Sequence, residues 1–130
     1  MRCWLALFLV VGPLCTAFAE EQPGAPAEKP CNQHPQLAGT CYVVRGRMGL
    51  YNGNPSVRIW RVGTKRILGV SEGRYRVEGY ANIPQAVFRQ LSWDHWLFGD
   101  FTVCPFQPER PGAMRLVCVQ GVTNTSVRPR

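Results

Sequence analysis

Cys41 to Gly63 reads CYVVRGRMGLYNGNPSVRIWRVG, and it leaves the chain little choice of local structure. From Cys41 to Leu50 the side chains alternate. Val43, Arg45 and Arg47 fall on one side; Tyr42, Val44 and Met48 fall on the other. Alternation with a period of two marks a strand with one buried face. Asn52-Gly53-Asn54-Pro55 interrupts the run. Asn-Gly between two such runs marks a hairpin, because both residues tolerate positive φ. Ser56 to Val62 is β-branched and aromatic, so the chain returns as a second strand.

The same turn chemistry extends the meander. Gly63-Thr64-Lys65 leads into a third strand, Arg66 to Ser71, and Glu72-Gly73 into a short fourth, Arg74 to Glu78. Asn82 is placed to cap a short helix over residues 83–91, with Pro84 in its first turn and Val87, Phe88 and Leu91 at helical spacing. Residues 92–100, SWDHWLFGD, are dense in aromatics and carry no clear period. Phe101 to Phe106 has strand character, and Pro105 marks it as an edge or as its end. Gln107 to Gly112 reads as a turn and Met114 to Gln120 as the last strand. The expected fold is mainly β: a small antiparallel β-barrel or sandwich of about six strands with one short interposed helix. An OB-like barrel is one version of it, and closure would hide the sheet edges. Trp93, Trp96, Phe98, Phe101 and Phe106 are expected in the core, and Tyr51 and Tyr80 near turns on the surface.

The ends of the chain differ from this domain. Met1 and Arg2 precede an apolar run, Trp4 to Val11, and Ala17-Phe18-Ala19 follows with small residues two apart. That is the pattern of a secretory signal peptide over residues 1–19. The run is too short to span a bilayer, which takes roughly 20 residues. Lipidation at Cys15 is disfavoured by the bulky Leu14. Residues 20–30, EEQPGAPAEKP, form a polar Pro/Ala/Glu linker expected to be disordered. Residues 31–121 are the single β-rich domain, and residues 122–130 a polar tail expected to fray. No other segment is apolar enough to span a membrane, so the expected location is secreted or periplasmic.

Cleavage also changes the cysteine count. Cys31, Cys41, Cys104 and Cys118 remain, an even number in a small exported domain, which argues for two disulfides. Three connectivities are open. Local pairing, Cys31–Cys41 with Cys104–Cys118, is favoured; the next choice joins the domain's ends, for instance Cys41–Cys118. Metal binding is not expected, because C-x-x-C is absent and His34 and His95 lie far apart in the chain.

The whole chain carries +7, and the leader removes only Arg2, leaving +6. Residues 42–76 hold eight basic residues against the single acid Glu72. In one register of the hairpin Arg47 faces Arg58 and Arg45 faces Trp60; in another Arg45 faces Arg61. Like charges opposed across a ladder cost up to roughly 1 kcal/mol. The arginines therefore either splay into water, meet an acid such as Asp94, Asp100 or Glu109, or hold an anion. Arginine grips phosphate, sulfate or carboxylate in a bidentate fork, and Trp60 beside it could stack on a base or sugar ring.

Trp93-Asp94-His95-Trp96 is the domain's sole His–acid cluster. A hydrolase would use His95 with a carboxylate, but no nucleophile motif accompanies it. Asn124-Thr125-Ser126 matches a glycosylation acceptor, relevant only in a eukaryotic secretory pathway. The leading expectation is a non-catalytic, disulfide-stapled binding module without cofactor, whose ligand is an anionic envelope polymer or glycan held by Arg45, Arg47, Arg58 and Arg61 with Trp60. The second is an envelope protein-interaction or inhibitor module presenting loops 51–56 and 107–112. The third is the hydrolase.

Overall fold

The structure, a computed structural model, describes Gly12 and residues 27–130. The expected signal peptide, Gly12 apart, and residues 20–26 of the expected linker lie outside the described residues. The domain is mainly β, with one five-stranded mixed sheet. Its strands are β1 (Tyr42–Leu50), β2 (Val57–Arg61), β3 (Ile67–Val70), β4 (His95–Pro105) and β5 (Arg115–Pro129). A single helical turn, α1 (Gln85–Phe88), lies between β3 and β4, and a 3-10 turn, Cys31–Gln33, precedes β1.

β1, β2 and β3 form the expected meander. β1 also pairs antiparallel with β4 along Tyr42–Met48, and β4 pairs antiparallel with β5. The all-antiparallel expectation fails at one seam: β3 pairs parallel with β5 through Leu68↔Arg115, Gly69↔Leu116 and Val70↔Val117. A parallel pair needs a long crossover, and the chain supplies one through α1 and β4.

Alternation sets the core. Val44 and Met48 of β1, Val57 and Ile59 of β2, Leu68 and Val70 of β3, Leu97, Phe101 and Val103 of β4 and Val117 and Val119 of β5 are all buried together. Val87 of α1 joins them, with Ile83 and Leu91 packed alongside. Gly46 leaves room for core side chains; a Cβ there would lie 2.4 Å from Ile59 Cγ2 and 3.2 Å from Phe101 Cδ2.

Several expectations about the elements are corrected. There is no fourth strand at Arg74 to Glu78. The Tyr75 carbonyl accepts from His34 Nε2 and Asn82 Nδ2, while Arg76 N bonds back to Gly73 O and Tyr80 N to Val77 O. Side chains and turns thus satisfy this backbone in place of a ladder, and the described strands number five, not six. Asn82 does not cap the helix, since its amide is taken by Ser71 O and Tyr75 O. The hairpin is not a two-residue turn: Gly53 alone takes positive φ, and Tyr51 N closes the loop onto Ser56 O. Residues 122–129 do not fray as a tail. They continue β5, because β4 begins at His95 and offers an edge reaching as far as His95↔Pro129. At the other end of the domain Lys29 is tied in, its N–H donating to Gly79 O and its carbonyl accepting from Ala81 N.

The disulfides are Cys31–Cys118 and Cys41–Cys104, neither the local pairing nor Cys41–Cys118. Cys104 and Cys118 sit opposite one another in the β4–β5 ladder, on the sheet face that alternates away from Val103, Val117 and Val119. Residues 31–41 cross that face, and each end of this strap is bonded to a different strand. A second small core forms beneath it from the cysteines, Phe106, Leu37 and Tyr75. His34 is buried there, edge-on to Phe106 at 4.6 Å. The favoured pairing would have left both ends of the strap loose.

Candidate functional site

The observed register is neither of those expected. Arg47 lies opposite Trp60, Gly49 opposite Arg58 and Gly46 opposite Arg61. No arginine of β1 directly opposes one of β2, so the like-charge conflict is absent. Arg45, Arg47, Arg58 and Trp60 alternate onto the face away from the core. Arg61 has the parity of Ile59 and falls on the other face, at the strand's end.

Arg47 Cζ lies 4.7 Å from the Trp60 ring centroid and 4.1 Å from that of Trp96. Arg130 Cζ lies 3.8 Å from the same Trp96 ring, and 5.8 Å from the rings of both Tyr51 and Trp93. Arg58 Cζ lies 5.0 Å from Tyr51. The result is a ladder of alternating guanidinium and aromatic groups over β2, β1, β4 and the end of β5. Local features hold its members. Trp60 Nε1 donates to Thr64 O, Arg58 Nε to Pro55 O, and Arg130 Nη2 to Leu50 O.

Cation–π contacts are worth about 0.5–1 kcal/mol when exposed and about 2 when desolvated. They engage the flat face of a guanidinium and leave its in-plane N–H donors to other acceptors. Arg47 Nε is buried without a hydrogen-bond partner among the described residues. Ion pairs are few among the described residues: Arg45 with Asp100 at 3.5 Å and Arg66 with Glu109 at 2.7 Å. Among the described residues Arg47, Arg58 and Arg130 meet no carboxylate. Glu72, the one acid inside the basic stretch, accepts instead from the Ser56 backbone N–H and hydroxyl.

The five residues expected to bind a ligand therefore divide. Arg47 and Trp60 are in direct contact, and Arg58 joins the same ladder through Tyr51 and Arg130. Arg45 is diverted to Asp100 and to the Asn124 carbonyl. Among the described residues Arg61 makes no cation–π contact with the ladder's rings. Trp60 carries Arg47 over its ring, so that approach to its face is already used.

Four members escaped sequence reasoning: Tyr51 is expected only near a surface turn, Arg130 in the tail, and Trp93 and Trp96 in the core. Only Phe101 and Phe106 of that aromatic cluster are buried; Trp96 and Phe98 are half-buried, and Trp93 is 53% exposed. The available signal was alternation in WLFGDFTV, which puts Trp96, Phe98 and Asp100 opposite Leu97 and Phe101.

His95 Nε2 donates to Gln90 O at 2.8 Å, and the Asp94 main chain accepts from Arg130 N. His34 uses both ring nitrogens, Nε2 on Tyr75 O and Nδ1 accepting from Gln36 N. No described helix is long and apolar enough to cross a membrane. No protein-family model, curated protein or solved structure matches this chain.

Proposed function

We propose that the domain is an exported, non-catalytic binding module whose ligand is an anionic polymer or acidic glycan, held by Arg47, Arg58 and Arg130. The observation that carries this is a set of three guanidinium groups fixed by aromatic faces instead of by carboxylates. Each keeps a positive charge with no side-chain carboxylate partner among the described residues. Arginine in such a setting is pre-oriented, so little side-chain entropy is lost on binding. Arg45, compensated by Asp100, and Arg61, on the other face, contribute less. The exposed Trp93 offers a ring for stacking at the ladder's end.

The scaffold of this proposal is a small closed barrel with OB-like strand order. What supports it is the pairing circuit β1-β2-β3-β5-β4, with β4 returning to β1. Two disulfides fit an oxidising, exported setting.

A heparin column run with a salt gradient tests the function. The processed chain should be retained at low salt and elute steeply with salt. Arg47→Glu with Arg58→Glu should abolish retention. Arg76→Glu with Arg89→Glu makes the same charge change at exposed positions outside the ladder and should leave most of it. Equal loss in both pairs would reduce the effect to net charge. A second reading, a protein-interaction module, draws on exposed Trp93 and Val127; capture of a partner that survives high salt would favour it.

A further inference from the structure

A separate cavity lies beneath the strap's side of the domain, between the turns after β3 and the β4–β5 connection. It encloses about 330 Å³, the lower end of the roughly 300–1,000 Å³ of small-molecule sites. Arg74, Arg110 and Arg115 line it, and none of its lining residues is acidic. The nearest acid in sequence, Glu109, is turned away to Arg66 at 2.7 Å. Arg66 also donates to the Arg110 carbonyl, which anchors that loop.

Arg115 is half-buried and finds only neutral acceptors, Gln107 O for Nε at 2.8 Å and the Tyr42 hydroxyl for Nη1 at 3.2 Å. These fix the direction of its guanidinium without compensating its charge. A partly desolvated cation with neutral partners gains most from an anion. The rest of the lining is mostly apolar, with Gln107 the one further polar residue: Pro108, Ala113 and Met114 stand beside a Tyr75–Phe106 stack whose ring centroids lie 4.6 Å apart and whose planes are 6° from parallel, and Arg74 Cζ lies 5.6 Å from the Tyr75 centroid. Phe106 is held by its own N–H to Leu116 O and by burial, so this wall does not depend on a ligand.

We infer that this cavity binds a small amphipathic anion: a carboxylate or phosphate group facing Arg74, Arg110 and Arg115, on an aromatic or short apolar body lying against Tyr75 and Phe106. The site is independent of the arginine–aromatic ladder, shares no residue with it, and takes a compact ligand where the ladder takes a polymer.

Amide NMR on the folded, oxidised domain tests it, with phenyl phosphate, phenylacetate, inorganic phosphate and benzyl alcohol as probes. Phenyl phosphate, phenylacetate or both should saturably shift the amides of Tyr75, Phe106 and Gln107. Benzyl alcohol and inorganic phosphate should bind at least about tenfold more weakly, since each lacks one half of the recognition. Saturation by only one of the two anions identifies the head group. Arg74→Gln with Arg110→Gln, both exposed positions, should weaken binding by about tenfold or more while leaving the remaining spectrum in place. This variant pair avoids Arg115, whose loss would also remove two internal bonds. Absence of saturable shifts at about 10 mM probe overturns the inference, as does binding equally strong for benzyl alcohol or confined to the Arg47–Trp96 face. Arg47→Glu with Arg58→Glu should leave the titration unchanged, so failure of the ladder and failure of this cavity read out separately.

Discussion

Gly49 is side-chain-free because Trp96 occupies the space a side chain would need: a Cβ on Gly49 would lie 2.4 Å from Trp96 Cε3 and 2.8 Å from Arg130 Nη2. Gly49→Ala therefore displaces the ring that bridges Arg47 and Arg130, without altering any charge. We expect a loss of about 1–3 kcal/mol in urea unfolding, the range for overpacking, and a changed tryptophan emission spectrum. The substitution should also lower the salt at which the domain leaves heparin. Unaltered elution would mean that the ladder's geometry is irrelevant to polyanion binding.

Ligand binding should show as stabilisation. At a heparin concentration about 100 times the dissociation constant, linkage gives about 2.7 kcal/mol, a rise of several degrees in Tm for a domain of this size. The rise should vanish near 1 M salt, where the Debye length is about 3 Å. It should be absent in the Arg47→Glu, Arg58→Glu pair at any salt.

The disulfide pairing is directly measurable. Peptide mapping without reduction should link Cys31 to Cys118 and Cys41 to Cys104; a fragment joining Cys104 to Cys118 would contradict the structure. The bonded cysteines stand 87 and 63 residues apart, and closing loops of that order stabilises by about 4 kcal/mol each on the chain-entropy account. Replacing either pair by serine should lower the unfolding free energy by a similar amount.

Residues 122–130 should prove structural. Deleting them uncovers the β4 edge from His95 to Phe101, paired in the native chain as far as Pro129, and removes Arg130 from Trp96. We expect a loss of at least about 2 kcal/mol, within the larger range of single-site effects, and faster hydrogen exchange at β4 amides. Heparin retention should fall in the same variant.

What could be read from the sequence was whatever obeyed one local rule. β1, β2 and β3 announced themselves by alternation between turn residues, and the even cysteine count implied two bridges. β4 began six residues earlier than expected because its outward positions, Trp96 and Phe98, are aromatic and half-buried, which blurs the period. The later part of β5 is invisible for the opposite reason: from Thr123 onward its residues are all exposed, so no hydrophobic period remains. Arg74 to Glu78 alternates well yet forms turns, because His34 and Asn82 claim the Tyr75 carbonyl from afar. The ladder was half legible. Its hairpin arginines stood out by lack of acids, but Trp96 and Arg130 reach them only through the β1–β4 and β4–β5 pairings, which are tertiary.

The parallel β3–β5 seam sets an order of events during synthesis. β3 is made early, yet one of its two neighbours is supplied only when residues 115–117 emerge, and Cys31 waits as long for Cys118. A growing chain can form the β1–β2–β3 meander, but Cys41 lacks its partner until Cys104 is made, and β3 its second neighbour and Cys31 its partner until residues 115–118 are made. Maturation is thus held back to the final stage of synthesis, and contacts of such long sequence separation make it slow compared with a helical domain of equal length.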